Sequence, residues 1–292
     1  MNQKQKSQET TECRIAVDDV SHKFSERKVL GHVTFRVSLG EIFGLLGPSG
    51  AGKTTLIKIL TGQLHRDDGY AEILGTDTNR LGSAQYQKIG VMMDNFGLYE
   101  RLSVWQNLSF YAEICRAPKE RIPDILRDIG LYDARKRPVS KLSKGMRSRL
   151  SLGRALLNDA EVLFLDEPTS GLDPVTAGEI HRVLLEQRER GTTIFLTTHN
   201  MFEAERLCGR VALLNQGSII ELGTPGEICR KYNHLNQLKI TLKNGDIVVL
   251  ENGSRAAGPL FKYLEENKVA AIHSTEPTLE SVFVDLTGKE LN

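Results

Sequence analysis

Residues 47–55 of this chain read Gly47-Pro48-Ser49-Gly50-Ala51-Gly52-Lys53-Thr54-Thr55. They fit G-x-x-x-x-G-K-S/T, the pattern of a phosphate-binding loop. The apolar residues 42–46 before the loop predict a buried strand, and residues 56–60 after it predict a helix. Glycines let successive backbone N–H groups converge on one anion, and the helix N-terminus adds its positive dipole end. We expect Lys53 to reach the β- and γ-phosphates of a nucleotide and the Thr54 hydroxyl to bind Mg²⁺.

The composition limits the class of protein. A length of 292 residues suits one large domain or a main domain with a small one, and 40% apolar residues suffice for a real core. The net charge is only +1, because 38 basic residues nearly balance 37 acidic ones. No overall field favours nucleic acid or an anionic membrane surface, so we expect no nucleic-acid partner.

The cysteines and the N-terminus indicate a cytosolic protein. Cys13, Cys115, Cys208 and Cys229 show no C-x-x-C spacing, which predicts isolated reduced thiols. Residues 1–12 are predicted to be a polar tail, without the apolar core of a signal peptide. No run approaches the roughly 18 apolar residues of a membrane helix. We therefore expect a chain that is soluble by itself and that needs a partner for any role at a membrane.

Residues 13–20 and 33–39 show period-two patterning, which predicts antiparallel strands around a turn at residues 25–27. Phe24 lies at that turn. An aromatic ring upstream of a phosphate loop can stack on a purine, but position alone favours an ordinary core residue. From residue 104 to about 160 the pattern turns helical, with helices near 104–115, 119–129 and 145–157. This region reads as a helical insertion within an α/β core.

Two carboxylates follow a second apolar run. Residues 162–165 predict a buried strand, and Asp166 and Glu167 follow at its C-terminal end. Open α/β sheets place their chemistry at the carboxyl ends of strands. With a phosphate loop present, we expect Asp166 to be the second Mg²⁺ ligand and Glu167 to act as a general base on an attacking water. The alternative, two solvated carboxylates, would be preferred only without the loop.

The remaining pattern extends the sheet and then changes. A helix is predicted at 175–190 and a buried strand at 192–197, with His199 at the carboxyl end of that strand. A hairpin follows at 211–222. From about residue 224 short strands and helices predict a small α+β appendage without a catalytic set of its own. For this appendage we favour packing or dimerisation over ligand sensing.

The chain resembles the nucleotide-binding subunit of ATP-binding cassette (ABC) transporters over about residues 13–228. Besides the phosphate loop and the acidic strand end, three motifs in the family's order carry this resemblance. They are Leu142-Ser143-Lys144-Gly145-Met146, close to the family's L-S-G-G-Q signature, Ser170-Gly171-Leu172-Asp173, and His199. The implied fold is α/β, with a phosphate-loop NTPase core, an antiparallel β subdomain, a helical subdomain at about 95–160 and a small C-terminal α+β domain at 229–292.

The resemblance implies roles for further residues. Cassettes of the family pair head to tail, with each ATP between the phosphate loop of one and the signature of the other. Ser143 and Gly145 are then expected to contact the γ-phosphate bound by the partner cassette. Phe24 aligns with the aromatic residue that stacks on adenine, which replaces the interpretation from position alone. His199 is expected to contact the γ-phosphate, and Asp173 to bridge the two halves.

Two departures from the family pattern stand out. After the strand predicted at 89–93 the family usually has a glutamine that touches Mg²⁺ and the attacking water, and here the matching residue is Asp94. A carboxylate is a hard ligand for Mg²⁺ but cannot donate a hydrogen bond as an amide can. We hypothesise that Asp94 still binds Mg²⁺, with altered coupling to transport. The signature also has Lys144 and Met146 in place of glycine and glutamine, and we expect Lys144 to face water.

The function that the resemblance implies is a Mg-ATP-hydrolysing subunit at the cytoplasmic face of the cell membrane, acting as a homodimer on a separate permease. Residues 97–104 and 277–283 are similar to cassettes of bacterial drug and antibiotic-peptide exporters, so we expect export. Three alternatives remain at this point: an importer cassette, a soluble cassette acting on ribosomes or DNA, and a non-enzymatic nucleotide-binding switch. Glu167 and His199 argue against the last of these.

Overall fold

The structure is a computed structural model and describes residues 12–93, 97–234 and 236–288. The chain forms two compact units, one reaching Leu222 and the other beginning at Gly223. The boundary predicted between residues 228 and 229 falls within a helix, Pro225–Lys231. This helix packs on Leu279–Thr287, the last described helix of the chain, and so belongs to the second unit.

Strands and helices alternate along much of the described chain. The β-strands are β1 (Cys13–Phe24), β2 (Arg27–Ser38), β3 (Ile42–Leu46), β4 (Asp68–Ile73), β5 (Thr76–Asp77), β6 (Ile89–Met92), β7 (Val162–Asp166), β8 (Thr193–Thr198), β9 (Arg210–Asn215), β10 (Ser218–Gly223), β11 (Gln237–Leu242), β12 (Ile247–Glu251) and β13 (Val269–Ser274). The α-helices are α1 (Lys53–Leu60), α2 (Ser83–Tyr86), α3 (Val104–Cys115), α4 (Ile122–Asp128), α5 (Lys144–Ala155), α6 (Pro174–Glu189), α7 (Met201–Leu207), α8 (Pro225–Lys231), α9 (Ala257–Glu265) and α10 (Leu279–Thr287). Short 3₁₀ turns lie at Thr78–Arg80, Lys119–Arg121, Val139–Lys141 and Ser254–Ala256.

The central sheet of the first unit has the order β10-β9-β3-β8-β7-β6. Strands β9, β3, β8, β7 and β6 pair in parallel. Every residue of β3, β7 and β8 is buried, as expected for parallel strands covered on both faces. Their register pairs Leu46 with Thr198 and Asp166 with Thr197. The carboxyl ends of β3, β7 and β8 therefore meet at one edge, where the phosphate loop, Glu167 and His199 begin.

A second sheet, in the order β2-β1-β4-β5, is antiparallel and packs on the first through a shared apolar core. Phe35 of β2 stacks on Phe43 of β3 with ring centroids 5.1 Å apart, and Phe43 stacks on Phe195 of β8 at 5.8 Å. Burying each ring stabilises the fold by about 1.5–3 kcal/mol. This core fixes the hairpin that carries Phe24 relative to the strand that leads into the phosphate loop.

The helices between β6 and β7 agree with the sequence pattern. Helix α3 occupies the predicted residues, α4 follows a 3₁₀ turn within the predicted 119–129, and α5 begins one residue before the predicted start. Helices α4 and α5 both pack on α3, and α5 also lies against β6. The predicted α/β class, with an antiparallel sheet and a helical region beside the parallel core, is confirmed.

The second unit contains the antiparallel sheet β12-β11-β13 with helices α8, α9 and α10. Its buried side chains include Ile228, Ile240, Leu279 and Phe283. No disulfide joins any of the four cysteines, all of which lie in the described ranges. Within those ranges, no helix has the length and apolar character needed to cross a membrane.

Candidate active site

The phosphate loop connects β3 to α1 at the carboxyl edge of the central sheet. Gly52, the N-cap of α1, has a φ of 111°, a left-handed conformation that favours glycine. No side chain caps α1. The first N–H groups of a helix have no partners within the helix, so an uncapped N-terminus can offer them to an anion.

A cleft of about 460 Å³ opens over this loop. It is lined by Phe24, Arg27, Val29, Ser49, Gly50, Gly52, Lys53, Thr54, Thr55, Asp166 and Glu167. The structure thus brings together the predicted aromatic residue, most of the predicted loop and both predicted carboxylates. Phe24 is half exposed, and its ring meets the buried His22 ring edge-on, with centroids 4.7 Å apart. Arg27 also lines the cleft, although its sequence position did not predict this. It lies opposite Phe24 in the antiparallel register of β1 and β2.

Lys53 is almost fully buried, with 6% of its surface exposed. Its ammonium donates to the carbonyl oxygen of Gly47 at 2.6 Å and to that of Pro48 at 3.3 Å. It also lies 3.1 Å from Glu167 Oε1. The backbone of the loop and one carboxylate therefore fix this positive charge at the floor of the cleft.

Asp166 is buried at the end of β7 and accepts two hydroxyl hydrogen bonds. Thr54 Oγ1 donates to Asp166 Oδ2 at 2.7 Å, and Thr197 Oγ1 donates to Asp166 Oδ1 at 2.5 Å. Mg²⁺ prefers oxygen ligands and is commonly held by one or two carboxylates together with substrate phosphates and waters. The Thr54 hydroxyl and the Asp166 carboxylate fit such an ion. In the described chain, no group of three or more His, Cys, Asp or Glu side chains could hold a metal ion.

Glu167 lies between Lys53 and His199. His199 Nδ1 lies 2.7 Å from Glu167 Oε2, and since an ionised carboxylate only accepts, Nδ1 carries the hydrogen. Glu167 adopts a φ of 51°, left-handed for a residue with a side chain. Its N–H donates to the carbonyl and the hydroxyl oxygen of Thr197, at 3.1 and 3.2 Å. Such strained conformations persist where the surrounding structure fixes them, and they cluster at functional sites.

The signature residues lie elsewhere in the same unit. Among the described residues that line the cleft, Ser143, Gly145 and Asp173 do not appear. The Ser143 hydroxyl caps α5 by accepting from Met146 N at 3.2 Å. Gly145 is buried so close to α6 that a Cβ atom there would lie 2.5 Å from Thr176 Cγ2.

Asp173 caps the next helix, α6. Its carboxylate accepts from the Val175 and Thr176 N–H groups and from the Thr176 hydroxyl. The hydrogen bonds from Thr176 hold the pKa of Asp173 below its usual value. Lys144 is exposed, as predicted, with its ammonium beside Gly171. The predicted Mg²⁺ ligand Asp94 lies outside the described residues.

Comparison with known proteins gives this geometry a family. Residues 30–170 match the family model described as ABC transporter. The chain is 41% identical over 274 residues to the fluoroquinolones export ATP-binding protein of Mycobacterium tuberculosis, covering 92% of this chain and 90% of that protein. It is 33% identical over 300 residues to the Nod factor export ATP-binding protein I of Rhizobium sp. (strain N33), covering 95% and 99%.

A solved structure shows the same fold. It is an ATP-binding cassette of an ABC transporter in its ADP conformation, which aligns with a TM-score of 0.68 at 26% identity and covers 74% of this chain and 93% of that one. The sequence motifs, the fold and the sequence identity to these relatives over nearly the whole chain all indicate the same family. The chain belongs to the family of ATP-binding, ATP-hydrolysing proteins of ABC transporters.

Proposed function

We propose that this chain hydrolyses ATP to drive export of a drug-like or antibiotic-peptide substrate through a separate membrane permease. The observation that carries the hydrolytic part is the Glu167 carboxylate, which lies between the Lys53 ammonium and the His199 ring at the phosphate-loop cleft. The direction of transport is supported by the two relatives above, which are both named as export proteins.

The phosphate chain would be bound by charge and by backbone donors. Lys53 and the N–H groups at the start of α1 converge on the cleft floor, so they would hold the β- and γ-phosphates. The exposed face of Phe24 would stack on adenine, with Arg27 beside it.

Thr54 and Asp166 would hold a magnesium ion, since their oxygens lie 2.7 Å apart within the cleft lining. When bound, this ion would neutralise charge on the phosphate oxygens. Thr197 has a separate part: its hydroxyl occupies the other oxygen of Asp166 and fixes the carboxylate plane.

Glu167 would orient a water molecule and accept its proton as that water attacks the γ-phosphorus. Lys53 and the Nδ1–H of His199 each occupy one of its oxygens, and each oxygen keeps a second lone pair for the water. His199, which is 45% exposed, is available to a γ-phosphate as well as to Glu167.

A second copy of the chain would complete each site. Ser143 and Gly145 lie at the start of α5 and would offer donors to the nucleotide on the partner cassette, with Asp173 bridging the halves. The assembly would sit at the cytoplasmic face of the membrane through its permease. No nucleic acid takes part in this function.

Steady-state hydrolysis tests the chemical part. Glu167→Gln should retain ATP binding but lose turnover by roughly 10²–10⁴-fold, the usual contribution of a general base. Glu161→Gln is a matched control, since Glu161 lies just before the opposite end of β7 and pairs with Arg14 and Lys88. Near-normal hydrolysis by Glu167→Gln would remove Glu167 from this role.

Affinity purification tests the transport part. The tagged Glu167→Gln chain would be isolated from detergent-solubilised membranes with ATP, and its partners identified by mass spectrometry. A stoichiometric polytopic membrane protein supports the proposal and identifies the permease to test for drug or peptide export. Recovery of ribosomal or other soluble partners alone would contradict it.

A further inference from the structure

One buried carboxylate, which does not line the cleft, takes no part in the chemistry described so far. Glu203, on α7, is only 2% exposed. Burying an ionised carboxylate is unfavourable unless hydrogen bonds replace its lost water. Its partners therefore indicate what this charge does in the fold.

Both oxygens of Glu203 accept hydrogen bonds. Oε1 accepts from Thr169 Oγ1 at 2.6 Å, and His181 Nε2 lies 2.8 Å from the same oxygen. Oε2 accepts from Thr198 Oγ1 at 2.9 Å. These donors come from three different segments: the turn after β7, helix α6 and the end of β8.

Two of these donors are neighbours of the proposed catalytic groups. Thr169 follows Glu167 by two residues, and Thr198 directly precedes His199. Neighbouring residues of a strand point to opposite faces of the sheet, so the two threonines at the end of β8 contact different carboxylates. Thr197 holds Asp166 from one side, and Thr198 reaches Glu203.

The turn that carries Glu167 is fixed at several points. Glu167 has the left-handed φ of 51°, and its carbonyl accepts from Ser170 N at 3.2 Å. The Pro168 carbonyl accepts from the buried Ser148 hydroxyl of α5 at 2.9 Å. The Thr169–Glu203 hydrogen bond adds a side-chain anchor at the far end of the turn. A strained backbone conformation persists only when several surrounding contacts hold it in place.

We infer that Glu203 is a positioning residue for ATP hydrolysis. Through Thr169 and Thr198 it fixes the segments that carry Glu167 and His199, so that one carboxylate sets the relative placement of the proposed base and its partner. This inference rests on the proposed function, because it gives Glu203 its role through Glu167 and His199.

If Glu203 had only a structural role, its removal would affect stability and turnover differently. Asn200 caps α7 by accepting from Glu203 N at 3.1 Å, so α7 has its own N-terminal anchor without the carboxylate. If Glu203 only stabilises α7, its loss should lower the melting temperature and leave turnover per folded molecule unchanged. If it positions the two segments, kcat should fall while KM for ATP stays the same, because Lys53, Thr54 and Phe24 are untouched.

The experiment compares Thr169→Val and Thr198→Val with Thr169→Ser and Thr198→Ser in the full-length chain. Valine keeps the shape and removes the hydroxyl, whereas serine keeps the hydroxyl. We expect each valine variant to lower kcat by roughly 10-fold or more, since a shift of about 1 Å in a catalytic group can cost 10². KM for ATP should stay within about two-fold, and each serine variant should retain most of kcat.

A double variant connects the effect to Glu203. Thr169→Val combined with Glu203→Met should be no slower than the slower of the two single variants, because methionine has a similar length but cannot replace the carboxylate as hydrogen-bond acceptor, so both changes remove the same Thr169–Glu203 bond. Additive losses, or valine variants with unchanged kcat, would overturn the inference whatever their melting temperatures. Thr198 is buried, and if its valine variant does not fold, the half-buried Thr169 still decides the outcome.

Glu167→Gln in the same assay separates the two proposals. Loss of turnover there with normal kcat in both valine variants overturns the role of Glu203 alone. Wild-type turnover in Glu167→Gln overturns the proposed chemistry, and the role of Glu203 with it.

Discussion

Helices α1 and α5 both begin at small polar or glycine residues, yet their N-termini are built differently. The start of α1 follows a left-handed glycine and has no side-chain cap. The start of α5 is capped by the Ser143 hydroxyl. An uncapped helix end offers its N–H groups to a ligand, whereas a capped one has already used part of that capacity.

The surroundings of the two helix N-termini also differ, since only the α1 end lies in a cleft lined by charged side chains. The α1 end is surrounded by Lys53, Asp166 and Glu167, a set able to bind phosphate and a cation. The α5 end is exposed at Ser143 and Lys144 and packs through Gly145 on Thr176 of α6. The first end is equipped to hold a nucleotide, and the second is equipped to be presented to one. Under the proposed function the two ends meet only when two copies of the chain pair.

Lys53→Ala should produce the largest loss of ATP affinity and tests the α1 side. Removing one partner of a buried, hydrogen-bonded charge pair costs about 2–5 kcal/mol. ATP affinity should therefore fall by roughly 30-fold or more, as measured by titration calorimetry. Lys58→Ala is the matched control, since Lys58 is an exposed lysine in the last turn of the same helix. Equal affinities of the two variants would show that Lys53 does not contact the phosphates.

Phe24→Ala should have the next largest effect and tests whether the α1 side also holds the base. Stacking on an aromatic side chain contributes about 1–3 kcal/mol per base, so ATP affinity should fall by roughly 5- to 150-fold. Phe24→Trp should restore it. Tripolyphosphate, which lacks a base, should bind the wild type and Phe24→Ala alike. Phe261→Ala removes a similarly exposed ring in the second unit and should change neither affinity.

The α1 side could be predicted from the sequence because its information is local. A run of buried residues, a glycine loop and a helix start lie within about twenty residues, and the apolar run of β7 ends directly at Asp166 and Glu167. Because the strands are parallel, their carboxyl ends then lie at the same edge of the sheet. What the sequence did not reveal is how the side chains pair, for example that Thr197 holds Asp166.

Helices α7 and α8 were both missed, for different reasons. Helix α8 had a readable start: Thr224, Pro225 and Glu227 form a capping box with proline at the first turn. Helix α7 was harder, because its buried Glu203 looks like a solvated charge in sequence. Two of its hydrogen-bond donors lie 22 and 34 residues away along the chain, so only the fold reveals them.

Mixing two inactive variants tests whether the α1 and α5 ends meet between chains. Lys53→Ala damages the phosphate loop, and Ser143→Arg blocks the signature. In a head-to-tail mixed pair both lesions fall in one site and the other site is intact. Half of the pairs are mixed in an equal mixture, so ATPase activity should recover to on the order of a quarter of wild type if the sites act independently. No recovery would contradict independent sites that are each shared between the α1 end of one chain and the α5 end of another.

The pH dependence of the melting temperature should give the smallest effect. It tests, in the absence of nucleotide, how the charge of Glu203 contributes to stability. Burial by itself would raise the pKa of Glu203, but hydrogen bonds from His181, Thr169 and Thr198 outweigh it and lower the pKa below 4.5. A carboxylate whose folded pKa is lowered contributes stability that is fully present above its unfolded pKa and is lost as pH falls through the folded pKa.

The wild type should therefore be more stable than Glu203→Gln at pH 6, and the two melting temperatures should converge as pH falls below about 4.5. The expected gap is a few degrees, because 1 kcal/mol shifts the melting temperature of a unit this size by roughly 2–4 °C. Glu120→Gln, at an exposed turn, should follow the wild type throughout. A gap that stays constant from pH 6 to pH 4 would mean that Glu203 stabilises the fold by packing rather than by its charge. In that case the segments carrying Glu167 and His199 would have to be anchored by other contacts.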